Sequence, residues 1–561
     1  MENSSLLQLH RCGYQPTLPL PLCNLTLILK EEKEVSKDPD VKLFFPCTYD
    51  LPLLSFTTGG SQFDRLPLKV GVVFSGGQAP GGHNVIAGLF DSLKNIHPDS
   101  TLIGFMEGPS GIIKNKFISL NEETISLYRN QGGFDIIGSG RTKIETDEQF
   151  EAARDTLQTH DLDGLVIIGG DDSNTNAALL AEYCKQKKMK TIIVGVPKTI
   201  DGDLKNDCLE ISFGFDSASK VYGEMIGNLA KDCLSAKKHT FFIKMMGRSA
   251  SHLTLECALQ THVNMALIGE EILEKRQTLN QIIQEIADLI CERSLHDKNF
   301  GLILIPEGLL EFIPECQSLI IELNRLLSED PLITEKIGAV NSSDQFALIQ
   351  QKLSPQSDEC FSKFPQEIQK QLLMERDPHG NIQLSKIETE RLIITLVQEE
   401  LKKRKSEGQY SGIFNPQPVF YGYEGRAALP SNFDCEYCYA LGYLASLLIL
   451  HQASGYMCVI NNLIAPAKLW EIGGIPIVSM LHLEIRKNKQ KAVIKKALVD
   501  LKGAVFNRFQ QERSKWRLAD DYCSPGPIQF DGPEKIVNSR TMTLILERGH
   551  QDALSQPDQR F

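Results

Sequence analysis

The stretch from Val166 to Asp203 limits what this chain can fold into more than any other. It holds two short apolar runs, each ending in an acidic, glycine-containing loop: Val166-Ile-Ile-Gly-Gly-Asp-Asp-Ser-Asn174 and Val194-Gly-Val-Pro-Lys-Thr-Ile-Asp-Gly-Asp203. Runs this short and this rich in Val and Ile fit parallel strands covered on both faces. Asn174 to Gln186 between them has helical character, so the unit reads as β-α-β with a right-handed crossover. Open α/β sheets bind ligands beyond the carboxyl ends of their strands, which predicts Asp171, Asp172, Lys198, Asp201 and Asp203 in one crevice. Acids this close are costly to assemble without a compensating cation; Mg²⁺ and Lys198 are the natural ones. Acidic turns with N-capping aspartates are the simpler alternative. They account for Asp203 or Asp216 and leave the rest of the pattern unexplained.

The surrounding chain has ordinary globular composition, 42% hydrophobic and 23% charged over 561 residues, which favours two or more lobes. Its 59 basic and 71 acidic residues give a net charge of −12. That balance disfavours nonspecific nucleic-acid binding, and an anion site must then be built locally. The fourteen cysteines are scattered. Their one close pair, Cys435 and Cys438, lacks the second pair of a zinc site and reads as ordinary helix thiols in a reducing compartment. The N-terminus has no basic and apolar leader pattern, and no segment reads as about 18 apolar residues able to span a bilayer. A cytoplasmic protein without nucleic-acid or membrane partners is the expectation.

In chain order, residues 1–67 read as an extension with no evident chemistry; a peripheral arm is the simplest reading, and packing on the core or a part in assembly are the alternatives. The run Lys69–Phe74 then leads into Ser75-Gly-Gly-Gln-Ala-Pro-Gly-Gly-His-Asn84 and an apolar helix from Val85 to Leu93. Strand, glycine loop and helix is an anion-binding arrangement, because glycines admit a phosphate to the backbone and helix N-H groups point at it. It is neither a P-loop nor GxGxxG, and a tight turn that needs glycine is the competing reading. Gly138-Ser-Gly-Arg-Thr-Lys143 adds Arg141 and Lys143, either phosphate partners or solvated charge. A helix from Phe215 to Ala230 precedes a strand, Thr240–Met245, that ends in Met246-Gly-Arg248. His252 and Glu256 lie one helical turn apart and fit a local hydrogen bond better than a metal pair. The strand Gly301–Ile305 ends at Glu307, and Tyr421-Gly-Tyr-Glu-Gly-Arg426 precedes a long apolar helix, about Glu436 to Gln452. A strand is expected around Ile475 to Ser479, and the tail from Leu483 carries no recognisable site.

Together these motifs resemble the phosphofructokinases, and more narrowly their long pyrophosphate-dependent branch, over about residues 68–480. The resemblance implies an α/β fold of two Rossmann-like three-layer lobes with an inserted helical module and an N-terminal extension. The expected boundaries are 1–67 for the extension and 68–230 for a phosphoryl-donor lobe, to which about 455–482 returns. A sugar-phosphate lobe is expected at 231–308 and 417–454, the helical insertion at 309–416 and a C-terminal region at 483–561. By the same resemblance Gly76, Gly77 and Lys198 contact the donor and Asp171 holds Mg²⁺. Asp201, within Thr199-Ile200-Asp201, takes the proton of the sugar 1-hydroxyl, and Arg141 steadies the transferring phosphoryl group. Met246, Gly247, Arg248, Glu307, Tyr423, Glu424, Gly425 and Arg426 match the fructose 6-phosphate site. Lys238 and His239 fall where the family reaches into a neighbouring subunit's sugar site, in a homodimer or larger homo-oligomer; His239 replaces an expected Tyr. ATP-dependent relatives resemble Gly-Gly-Asp-Gly and Pro-Gly-Thr-Ile-Asp, with glycines where this chain has Asp172 and Lys198. The carboxylate repels a nucleotide's α-phosphate and the ammonium stabilises a short pyrophosphate. The implied reaction is reversible conversion of fructose 6-phosphate and pyrophosphate to fructose 1,6-bisphosphate and orthophosphate. An ATP-dependent enzyme and a noncatalytic regulatory subunit are the alternatives.

Overall fold

The computed structural model describes residues 5–23, 27–32, 37–59, 66–329, 342–374, 382–486 and 489–549. The first four residues, two parts of the expected insertion and the last twelve residues of the expected C-terminal region lie outside them. Two units emerge. The first takes the chain up to Val221, Tyr423–Ala497 and the chain from Ile528; the second takes Tyr222–Gly422 and Leu498–Pro527.

The first unit is built on strands β1 (Leu27–Glu31), β2 (Leu54–Thr58), β3 (Lys69–Ser75), β4 (Thr101–Phe105), β5 (Phe117–Leu120), β6 (Ser139–Gly140), β7 (Gly164–Gly169), β8 (Ile192–Thr199) and β9 (Phe213–Gly214). The second unit holds β10 (Thr240–Met245), β11 (Met265–Ala266), β12 (Gly301–Pro306) and β13 (Pro416–Tyr421). The chain then returns to the first with β14 (Tyr456–Asn461), β15 (Glu471–Pro476) and a hairpin, β16 (Leu481–Arg486) with β17 (Lys489–Ile494). The strand expected at Ile475–Ser479 is thus the end of β15 followed by a 3₁₀ turn, Ile477–Met480.

In the first sheet the order is β1-β2-β15-β14-β8-β7-β3-β4-β5, with β6 on β3 and β9 on β8. The centre, from β14 to β4, is parallel; the flanking pairs are antiparallel. From β3 the chain steps to β4 on one side, and from β7, on the other side of β3, it steps on to β8. Strand order therefore reverses between β3 and β7, the position where such sheets bind ligands. Every residue of β7 and β8 is buried, as continuous apolar strands require.

Helix α1 (Gly82–Ile96) follows β3, and α2 (Asp171–Gln186) follows β7, starting three residues earlier than the periodicity predicts. α3 (Phe215–Ala236) runs on into the second unit. The long apolar helix is α4 (Asn432–Leu450), and it packs on α1 in the first unit. Two glycines permit that contact: a methyl group on Gly88 would stand 2.1 Å from the Tyr439 carbonyl oxygen, and one on Gly442 2.2 Å from that of Val85. The expected 417–454 segment of the sugar lobe is corrected accordingly. Only its start, β13, belongs to the second unit. α4 is long and apolar enough to cross a membrane, contrary to the sequence expectation, but 89% of that window is buried inside the protein.

The extension is no peripheral arm. β1 and β2 edge the main sheet, and Val41 and Phe45 join the core with Ile167, Leu180 and Ile193. Arg11 is buried, donating to Asn432 Oδ1 (2.8 Å) and the Pro430 carbonyl (3.1 Å). In the second unit, β11-β12-β10-β13 form an all-parallel sheet. The expected insertion shares its core: Leu319, Leu323, Phe361 and Ile393 pack in one cluster with Phe242, Ile303 and Ile305 of the sheet.

Candidate active site

The loops expected to meet the phosphoryl donor converge at the switch point of the first unit. Gly76 follows β3 with φ at +89°, a conformation that glycine accepts without strain. Its N-H donates to the Gly140 carbonyl (2.9 Å), and Ser139 Oγ donates to the Gly76 carbonyl (2.7 Å). The loop bearing Arg141 is thereby fastened to the first glycine loop. Ser173 Oγ donates to Ser75 Oγ (2.8 Å), which ties the end of β3 to the start of α2. A methyl group on Gly169 would come within 2.4 Å of Ser173, so this approach needs glycine.

Asp171 and Asp172 form the first turn of α2, where the helix N-terminus favours carboxylates. Asp172 Oδ1 accepts from Lys143 Nζ at 2.9 Å, so this acid and the basic residue of the Arg141 loop are partners. Lys198, at the end of β8, is buried. Burial pulls its ammonium below its ordinary pKa, against the opposing pull of Asp201, Asp171 and Asp203. Arg141, exposed on its loop, adds a further downward push. Thr199 organises the turn, accepting from the Asp201 N-H (3.0 Å) and donating to Asp203 Oδ1 (3.2 Å). Asp203 is no exposed capping residue. It is buried, and burial together with Asp201 and Asp171 pushes its pKa up to about 7. Asp201 is half-buried, whereas Ile200 is packed away.

This turn rests on a polar cluster that sequence reasoning missed. β9 pairs with Lys198 and Thr199, and the Gly214 N-H donates to Asp434 Oδ1 (3.0 Å). Asp434 Oδ2 also accepts from the Ser217 N-H (2.9 Å). Asp434 stands in the first turn of α4, an ordinary place for an acid, so the sequence carried no distinctive signal for it. A second missed residue is Lys496, just after β17, whose Nζ lies 3.6 Å from Asp171 Oδ2. Arg426 also sits in the first unit: a methyl group on Gly77 would be 3.7 Å from its Nη1. Its guanidinium lies 4.5 Å from the ring centre of Tyr423, which is exposed, as is Glu424, whereas Gly425 is buried.

In the second unit the ends of β10 and β12 bring Met246, Gly247, Arg248 and Glu307 together. The Gly247 N-H donates to Glu307 Oε2 (3.1 Å), and the Glu307 N-H to the Met245 carbonyl (2.8 Å). Gly247 has φ of +128°, and Arg248 is exposed. Lys238 and His239 are not part of this group. They precede β10, at its opposite end, roughly 20 Å away by strand rise. Lys238 is exposed, and His239 Nδ1 lies 3.0 Å from Asn415 Nδ2. His252 and Glu256 are both buried on the helix that follows, with Gln260 donating to Glu256 (2.8 Å).

Among the described residues no three His, Cys, Asp or Glu side chains could hold a metal ion by themselves. The hard, half-buried carboxylate of Asp171 suits Mg²⁺, which characteristically uses one or two carboxylates and completes its shell with substrate phosphates and water. Cys435 and Cys438 are buried free thiols on α4.

Comparison with known proteins identifies the family. A phosphofructokinase family model matches residues 69–352. The chain is 49% identical to the pyrophosphate–fructose 6-phosphate 1-phosphotransferase of Porphyromonas gingivalis, over 97% of this chain and 99% of that one. It is 50% identical to the beta subunit of the Solanum tuberosum enzyme of that name, over 91% and 88%. Among solved structures, a pyrophosphate-dependent phosphofructokinase from Nitrosospira multiformis covers 84% of this chain and 95% of its own, with a TM-score of 0.53 at 15% identity, a likeness of fold. The ordered motifs, the switch-point site and near-complete alignment with these relatives establish that the chain belongs to the pyrophosphate-dependent branch of the phosphofructokinase family.

Proposed function

We propose that this chain transfers a phosphoryl group reversibly between pyrophosphate and the 1-hydroxyl of fructose 6-phosphate, giving fructose 1,6-bisphosphate and orthophosphate. The observation that carries the choice of donor is the pair of charges at the two loop ends. Lys198 is a buried ammonium at the end of β8, and Asp172 a carboxylate in the first turn of α2. Lys198 supplies fixed positive charge to a short inorganic donor, while Asp172 repels a nucleotide α-phosphate. Lys143, bonded to Asp172, holds that carboxylate in place.

In the proposed mechanism Asp201 accepts the proton of the sugar 1-hydroxyl as its oxygen attacks phosphorus in line. The Asp201 N-H bond to Thr199 fixes the turn from which the carboxylate acts. Lys198 and Arg141 stabilise charge on the transferring group, and Gly76 and Gly77 let the donor approach the backbone. Met246, Gly247, Arg248 and Glu307 are proposed contacts of the sugar phosphate, as are Tyr423 to Arg426. Asp171 would hold Mg²⁺, which neutralises phosphate charge when bound. Lys238 and His239, remote from Met246 along the same strand, serve the sugar site of a second copy in a homo-oligomer. We place the enzyme in the cytoplasm.

The test is turnover of fructose 6-phosphate by the purified chain with pyrophosphate against ATP. Pyrophosphate should support turnover and ATP should not. D172G combined with K198G should cut pyrophosphate-dependent kcat by roughly 10²–10³, the range for removing one pre-organised charge-stabilising group. ATP-dependent turnover in the unaltered chain would defeat the reading.

A further inference from the structure

The C-terminal hairpin lies well past residue 352, where the family match ends, yet its continuation enters the donor site. The backbone around Lys496 is fastened to the helix that begins at Asp171, to the turn that ends in Met480 and to Asp203. The Ile494 N-H donates to Thr175 Oγ1 (3.2 Å), and that hydroxyl donates in turn to the Asp171 carbonyl (2.9 Å). The Lys495 N-H donates to the Met480 carbonyl (2.9 Å), and the Ala497 N-H to the Asp203 carbonyl (2.8 Å). Ala492 and Ile494 anchor the strand in the core of the first unit.

This anchoring holds the Lys496 ammonium 3.6 Å from Asp171 Oδ2, with both side chains about one-third exposed, at 32% and 29%. An ion pair so exposed adds little to stability, too little to account for such a setting. Charge balance gives a better reason. Lys143 pairs with Asp172, while Asp171, Asp201 and Asp203 all act on the buried ammonium of Lys198. An anionic donor gains from every cation fixed at such a site, and Lys496 supplies one beside Asp171. Lys496 also acts electrostatically on Asp203, so its field reaches both ends of the acidic group. Its exposure leaves the ammonium able to turn from Asp171 to an incoming phosphate oxygen.

We propose that Lys496 is a donor-site residue whose ammonium binds phosphate oxygens of inorganic pyrophosphate, and of orthophosphate in the reverse direction. This rests on the reading of the Gly76, Asp171 and Lys198 loops as the donor site. The test is calorimetric titration of pyrophosphate into the full-length chain without sugar phosphate, at constant magnesium, for the unaltered protein, K496Q, K496R and K198M. K496Q should weaken pyrophosphate binding about tenfold and raise KM for pyrophosphate and orthophosphate similarly. KM for fructose 6-phosphate should move less than twofold, the thermal midpoint should hold, and K496R should recover most of the affinity. K496Q binding pyrophosphate like the unaltered chain, while K198M binds weakly, overturns the role of Lys496 and leaves the donor site standing. Unchanged binding in both variants overturns the donor-site reading itself. Should K496Q misfold, K496R decides: an affinity loss as large as that of K198M in a folded K496R overturns the charge-based role, and retained affinity supports it.

Discussion

Asp201 bears the heaviest chemical demand in the proposed reaction, and its environment suits the task. It is half-buried, its backbone is fixed through Thr199, and the neighbouring Asp203 is the acid whose pKa is pushed up to about 7. Asp201→Ser should therefore retain pyrophosphate binding and lose about 10²–10⁴ in kcat, the usual value of a general base. Near-normal turnover would remove Asp201 from that role. His83 offers a pH test at the same scale. It is buried on α1, and burial pulls its pKa down to about 4. Its Nδ1 lies 3.1 Å from the Gln131 carbonyl, and the Ile136 N-H donates to Nε2 (3.4 Å), a pattern only the neutral ring completes. A base with a depressed folded pKa stabilises fully above its unfolded value of 6.5, and that stability is lost as pH falls toward 4. The loss should reach on the order of 3 kcal/mol, and the fall in Tm between pH 6.5 and 4.5 should be shallower in His83→Asn than in the unaltered chain. Equal slopes would show that His83 does not set the acid limit.

At the scale of elements, the contact of α1 with α4 decides where the chain after β13 goes. Gly88 and Gly442 face backbone carbonyls closely enough to exclude any side chain. Gly88→Val should destabilise the protein by about 3 kcal/mol or more through forced separation of the helices, read as a lower Tm with reduced soluble yield. A variant as stable as the unaltered chain would mean that the helices part at little cost. This contact also shows why the sequence was legible in some places and opaque in others. The β3, β7 and β8 runs are buried on both faces, so composition marks them, and their loop ends follow from the strand boundaries. Glycines within α1 and α4 look ordinary until a partner helix is known, so the division of 417–454 could not be read. Lys496 was opaque for a similar reason. A lysine in a polar tail carries no mark until backbone pairing with Thr175 and Asp203 brings it to Asp171. The 1–67 extension hid its role because Arg11, buried against Asn432 and Pro430, reads in sequence as a surface charge.

For the whole molecule, the position of Lys238 and His239 sets the strongest condition on assembly. Both precede β10, whereas Met246 to Arg248 follow it. A rigid strand cannot bring its two ends to one sugar phosphate, so if all these residues serve such a ligand, two copies of the chain must supply them. Sharing of this kind makes a quantitative prediction. Asp201→Ser and the double variant Lys238→Ala with His239→Ala should each have little activity alone. Mixed by co-expression, they form dimers in which one site combines the intact Asp201 of one chain with the intact Lys238 and His239 of the other. Random pairing makes about half the dimers mixed, each with one good site of two, so activity should recover to roughly a quarter of the unaltered level. Sedimentation of the mixture would establish that mixed oligomers formed. Mixed oligomers without recovery would confine each sugar site to a single chain and leave Lys238 and His239 outside the chemistry.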